Sequence, residues 1–256
     1  MATAPQATLP LFYNDLMPLN SRDHGGWRSR TTDKAKWLVN QHAIPLTVEE
    51  FPQAQRNYPI VFSSGDGPVP LALMGLNEGV NVFVDEDGAV TEAVYVPAYA
   101  RRYPFMLAKL NPEADDLSLC FDPTTDLIGA FDEGAELFDG ESPTDACKAT
   151  LNFCEQFEIA GQKTQAFIDE LQKNKLLMDG EVAIQQEGKE QPFIYRGFQM
   201  VDESKLRELR GDKLREWNQN GMLGLIFAHL FSLELMSNIF SRQLELGKGP
   251  VVLPAA

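Results

Sequence analysis

Between Tyr58 and Val96 short apolar runs alternate with turn residues, repeating at intervals of about ten. Tyr58 to Ser63 (YPIVFS) reads as a strand, SGDGP as a turn and LALMGL as a second strand. Asn81 to Val84 reads as a third, closed by the tight turn Asp85-Glu86-Asp87-Gly88, with Val90 to Val96 returning as the fourth. One antiparallel meander is the expectation. Upstream, Leu9 to Leu19 is apolar but carries Pro10 and Pro18, so it predicts an extended lead-in. NSRDHGGWRSR is a loop that turns at Gly25 and Gly26, and Trp37 to Val39 predicts a short strand ended by Pro45. Thr47 is placed to cap a short helix, with Glu50 at the capping-box position.

The stretch Ala93 to Asp122 begins and ends as strand, AVYVP and LSLCFD. Between them Pro97 opens a helix that sets Tyr99, Tyr103 and Leu107 at four-residue spacing on one face. Pro104 requires a kink or boundary near Tyr103. Asp122 to Pro143 has no sustained period and reads as a long surface loop anchored by Leu127, Ile128, Phe131, Leu137 and Phe138. From Thr144 the period is helical, with one helix through Cys154 and Phe157 and a second over Thr164 to Met178, Gly161 between them.

EVAIQQ and QPFIYRGFQMV then form a hairpin turning at Glu187-Gly188. Asp202 caps a helix interrupted near Gly211 and ended by Gly221. Last comes MLGLIFAHLFSLELMSNIF, the most apolar run. His229, Glu234, Ser237 and Asn238 interrupt it, so it predicts the buried central helix of a core and not a membrane span. The expected class is α+β: an antiparallel sheet of N-terminal strands plus the later hairpin, packed with a helical middle and a long buried C-terminal helix. One domain over 9–246 is expected, between a disordered tail at 1–8 and a loose tail at 247–256.

Composition narrows the function classes. The chain of 256 residues is 44% hydrophobic and 23% charged, with a formal net charge of −15. That charge disfavours general affinity for nucleic acid or anionic membrane. The N-terminal twenty residues lack the basic and apolar regions of a secretory signal, and Cys120, Cys147 and Cys154 are too spread for a disulfide framework or zinc site. A cytoplasmic protein with reduced thiols is expected, and the cysteine pair seven residues apart belongs to a helix face.

The search for chemistry finds mostly absences. The three histidines, His24, His42 and His229, start no H-x-D, H-x-E or H-E-x-x-H motif. No nucleophile elbow, phosphate-binding loop or dinucleotide fingerprint occurs. No metal and no cofactor is expected. His24, in a glycine-rich loop, is the better candidate for proton transfer, because exposure would leave its pKa near neutrality. His229, on the apolar helix, reads as a core histidine. Arg101 and Arg102 lie among Tyr99 and Tyr103, a set suited to gripping a carboxylate or phosphate bidentately, with His24 and Trp27 at the border of the pocket. The same arginines suit a structural role equally, stems on rings and heads paired with acids.

The combination YPIVFS, ALMGL with NVFVDEDG, YVPAYARRYPF, FIYRGFQMVDE and GMLGLIFAHLFSLELM resembles the SapC family of bacterial proteins, from about Leu9 to about Leu246. The resemblance implies no established reaction, cofactor or catalytic residue. It implies a genomic setting near surface-layer secretion genes, TonB-dependent receptors, halogenase-like flavoproteins and cupin-type oxygenases. The reading favoured is a non-catalytic accessory protein that binds a peptide, protein or small anionic ligand. The alternatives are an enzyme of unrecognised type using His24 or His229, and a surface-layer or secretion-associated structural protein.

Overall fold

A computed structural model describes residues 9–111, 116–185, 188 and 191–249. The expected tail at 1–8, residues 250–256 of the expected C-terminal tail and Glu187 of the expected turn lie outside them. The class is α+β, with several antiparallel sheets and a long C-terminal helical segment. The chain gathers into two compact units, each built from separated stretches. Among the described residues, the first takes those up to Asp33 and Arg101–Ile159, and the second takes Lys34–Ala100 and those from Ala160 on.

In the first unit Ser118–Phe121 is the middle strand of three, flanked by Met17–Pro18 and Phe105–Ala108. The register sets Phe105 against Phe121 and Leu107 against Leu119. Phe105–Ala108 falls where a helix was expected, because the helix Ala98–Arg101 stops before the cis Tyr103–Pro104 bond and the chain after it is extended. AVYVP belongs to none of the described strands, and the Tyr95 N–H donates to Asn57 Oδ1 at 3.1 Å. The stretch expected as a surface loop holds short strands, of which Ile128–Gly129 and Ala135–Glu136 pair on either side of Arg28–Ser29. Gly134 makes that approach feasible: its φ is +117°, and a Cβ there would lie 2.5 Å from the Ser29 carbonyl oxygen. Leu137 and Ile128 are buried beside Phe121, Cys147 and Cys154. The two cysteines occupy one helix face, as their spacing requires.

Asp145–Lys173 is one continuous helix, contributing to the first unit through Ile159 and to the second from Ala160. Gly161 does not divide it, since glycine in mid-helix costs only about 1 kcal/mol and the apolar stripe continues on both sides.

The second unit is built on a five-stranded antiparallel sheet in the order Leu177–Asp179, Phe198–Val201, Ile60–Ser63, Pro70–Leu73, Ala43–Pro45. A late strand thus joins the early ones. The expected strand QPFIYRGFQMV is split by Gly197 at φ +95°. Its first part, Phe193–Tyr195, pairs with Val182–Ile184 in a separate hairpin, and its second enters the main sheet. Gly180 lets the chain pass the sheet, because a Cβ there would meet the Phe198 ring at 2.1 Å.

Two expectations fail locally in this unit. Asn81–Val84 and Val90–Val96 do not form a pair of strands; the pairing narrows to the Val84–Val90 bridge, flanked by the Asp85 N–H to Ala89 O and Thr91 N–H to Phe83 O bonds, around the expected turn. The Asp85 carboxylate closes that turn by accepting from Asp87 and Ala89 N–H. Trp37 lies in a single turn of 3-10 helix, Lys36–Leu38, its indole N–H donating to Ala100 O at 3.2 Å, and the strand begins only at Ala43. The C-terminal segment is two helices, Met222–Ser232 and Met236–Glu245, joined by a 3-10 turn over Leu233–Leu235. One face, with Met222, Ile226, His229, Met236 and Ile239, is buried in the unit, while Phe231 on the other is 68% exposed. By length and composition Met222–Glu245 is long and apolar enough to cross a membrane. The Thr47 cap is as expected, with the Thr47 N–H donating to Glu50 Oε2 at 2.8 Å. Asp202 likewise caps Glu203–Arg207.

Candidate functional site

Five of the six residues singled out in the sequence fall in the first unit, and Tyr99, buried, falls in the second. The adjacent arginines meet different surroundings. Arg101 is exposed, 5.3 Å from the centre of the Phe153 ring. Arg102 is 7% exposed, its guanidinium 4.3 Å over Phe157 and 3.5 Å from the Glu158 carboxylate. Beside it burial pushes the Cys154 thiol up to about 11. Phe153 and Phe157 are one turn apart on the helix Asp145–Lys173, so its aromatic face receives both arginine stems.

Tyr103 turns toward a buried carboxylate. Its hydroxyl donates to Asp122 Oδ2 at 3.4 Å, and its ring packs edge-on to Tyr13 at 5.3 Å. Burial raises its phenol above the ordinary tyrosine range. Asp122 is fully buried and also accepts from Asn14 N–H at 2.8 Å, Thr124 N–H at 2.8 Å and the Thr124 hydroxyl at 2.7 Å. Four donors compensate a charge removed from water, and together they tie the lead-in segment to the sheet.

His24 is not exposed, contrary to the expectation from its glycine-rich loop. It ends the short helix Ser21–His24, is 3% exposed, and lies 4.6 Å from the ring of Trp27 and 5.2 Å from that of Phe121. Its Nδ1 accepts the Asn20 N–H at 3.2 Å. The two glycines turn the chain so that the imidazole and Trp27 fold inward onto the core together. Trp27 anchors the loop against that core.

His229 is wholly buried, and its position explains the gap in the main sheet. Phe198 opposes Ser63 and Gln199 opposes Phe62; the same register continued would set Val201 against Ile60. There the imidazole intervenes, with Nδ1 2.7 Å from Ile60 O and Nε2 accepting the Val201 N–H at 3.0 Å. Ser232, one turn on, accepts the Ile60 N–H at 2.8 Å. The helix Met222–Ser232 therefore plugs the place where two strands part. Burial lowers the His229 pKa to about 4, so the ring is neutral, donating through Nδ1.

Two concavities stand out among the described residues of the second unit. One, of about 580 Å³, is lined by Asn81, Asp85, Glu86, Glu92, Arg242, Glu245 and Lys248 among others. Arg242 sits 4.7 Å over the Phe83 ring and forms a bidentate pair with Glu92, one arm at 3.1 Å. That pair holds the Glu92 carboxyl below the usual range. The Arg-on-aromatic arrangement sought in the sequence is present here, but the four carboxylates against two cations make this cleft unfavourable for an anion.

The other is a groove of about 540 Å³ between Val182–Ile184 and the helix break, lined there by Leu233, Glu234, Leu235, Ser237 and Asn238. Val182–Ile184 belongs to a two-stranded sheet and, among the described residues, is paired on one edge only, to Phe193–Tyr195. The stacked pair Phe193 and Phe240, 5.1 Å apart, joins hairpin and helix beside it. Sequence reasoning missed this groove. The hairpin was legible, but the helix interruption at Leu233–Leu235 carries neither glycine nor proline to announce it.

No curated protein and no solved structure matches the chain. A family model, SapC, matches residues 19–239, a span that includes Asp122 but not its donor Asn14, and takes in the His229 plug and both walls of the groove. With well over half its length matched, the chain belongs to the SapC family.

Proposed function

We propose that this chain is a non-catalytic binding protein that takes an extended segment of a partner polypeptide into the groove beside Val182–Ile184. The observation that carries the reading is a strand that lines a groove and, among the described residues, is paired on one edge only. A peptide laid there gains main-chain hydrogen bonds from the strand, and its alternate side chains meet Val182, Ile184, Leu233 and Leu235. The enzyme alternative rested on His24 and His229, and both imidazoles are enclosed and hydrogen-bonded to backbone. The setting implied by the family resemblance makes modifying enzymes and TonB-dependent receptors the partners to test first, in an accessory role.

The test uses an immobilised library of random seven-residue peptides and the full chain. Ala183 is exposed and lines the groove, so Ala183→Arg fills it without disturbing the core. Wild-type protein should be retained by a subset of peptides, and the variant, with unchanged melting temperature, should not. Equal retention of both would show that the groove is not the binding site.

A further inference from the structure

We infer that the groove selects a cationic side chain in the bound segment, with Glu234 as the residue that reads it; this rests on the binding reading above. Among the described residues lining the groove, Glu234 is the charged one. It sits in the 3-10 turn Leu233–Leu235, exposed, flanked by two leucines, and its backbone carbonyl takes the Ser237 hydroxyl at 2.8 Å. Among the described residues its carboxylate joins no ion pair, whereas nearby Glu181 is already engaged by Arg196 at 2.6 Å. An exposed carboxylate beside the apolar residues of the groove offers a cation an attraction of the size of a surface ion pair. The net charge of −15 works in the same direction at long range.

The apolar wall and Glu234 together define the ligand: an extended strand with β-branched or aliphatic residues facing Val182, Ile184 and Leu235, and one lysine or arginine at the position that meets Glu234. A free amine would satisfy the acid but leave the strand edge and apolar walls unused. An acidic segment is repelled.

The experiment repeats the peptide selection with wild type and Glu234→Gln, which keeps the side chain's size and removes its charge. Lysine and arginine should be enriched at one position of the peptides held by wild type. For a selected peptide, Glu234→Gln should weaken binding about fivefold at low salt, the size of an exposed ion pair, and should leave its norleucine counterpart unaffected. Sodium chloride at 0.5 M should erase the difference. A retained pool without such enrichment, or one whose preference survives Glu234→Gln, overturns the role of Glu234 while leaving the groove in place. A pool that Ala183→Arg does not release overturns the groove and the inference together. Dimer formation in sedimentation that Ala183→Arg abolishes would assign the edge to a second copy of the chain and likewise overturn it.

Discussion

The Nδ1 of His229 lies 2.7 Å from the carbonyl oxygen of Ile60, 169 residues earlier in the chain. A side chain thus supplies the donor that the neighbouring strand would otherwise provide. The arrangement requires a neutral ring, since the opposite nitrogen must accept from Val201.

That requirement predicts a pH dependence. The folded pKa, about 4, is below the ordinary 6.5, so the unfolded chain binds the extra proton first. The contribution is complete above about pH 6.5 and is lost as pH falls toward 4, amounting to about 3 kcal/mol. His229→Leu removes the titrating group and strands two buried backbone groups, so it should cost about 2–4 kcal/mol at pH 7. Urea unfolding at pH 7 and pH 4.5 should show the gap between wild type and variant narrowing at the lower pH. A constant gap would mean that the ring does not titrate there.

The adjacent arginines should separate cleanly in stability. Arg101→Ala, at an exposed position, should change unfolding free energy by no more than about 0.5 kcal/mol. Arg102→Ala removes a buried stem from Phe157 and the partner of Glu158, and should cost about 2–3 kcal/mol. Guanidinium titration of the two single variants measures both. Equal effects would contradict the different burial of the two side chains.

Asp122→Ala should be among the most damaging single changes in the first unit. It leaves the Asn14 N–H, both Thr124 donors and the Tyr103 hydroxyl without their acceptor, each worth about 1 kcal/mol or more. The lead-in around Asn14 should then become a site of rapid limited proteolysis under conditions in which the wild type resists. Unchanged cleavage would show that the segment is held by its ring contacts alone.

Local periodicity and turn chemistry were legible wherever partner and pattern coincide. YPIVFS, LALMGL and LSLCFD are strands because their apolar residues pack whichever neighbour they meet. Thr47 and Asp202 are caps because the bond they make is local. The failures share a cause. Phe105–Ala108 looks helical by spacing and is a strand because Ser118–Phe121 offers it an edge. Asn81–Val84 looks like a strand and is not one, because pairing across the turn goes no further than the Val84–Val90 bridge and the Thr91 N–H to Phe83 O bond. His24 looks exposed because glycines precede Trp27, and is buried because Phe121 lies ready to receive its ring.

The candidate site divides along the same line. Arginines among aromatics were visible in the sequence, but adjacency in the chain cannot say that Arg101 faces solvent while Arg102 pairs with Glu158. The family, the α+β class, the caps, the turns and the core face of the C-terminal helix follow from the sequence alone, because they depend on short-range spacing and on which residues leave water. The union of Phe198–Val201 with the early strands, the insertion of His229 between Ile60 and Val201 and the groove beside Val182–Ile184 were decided by tertiary structure. Each is a pairing between groups far apart in the chain, and hydrogen-bond partners at such distance are chosen by packing and not by local pattern.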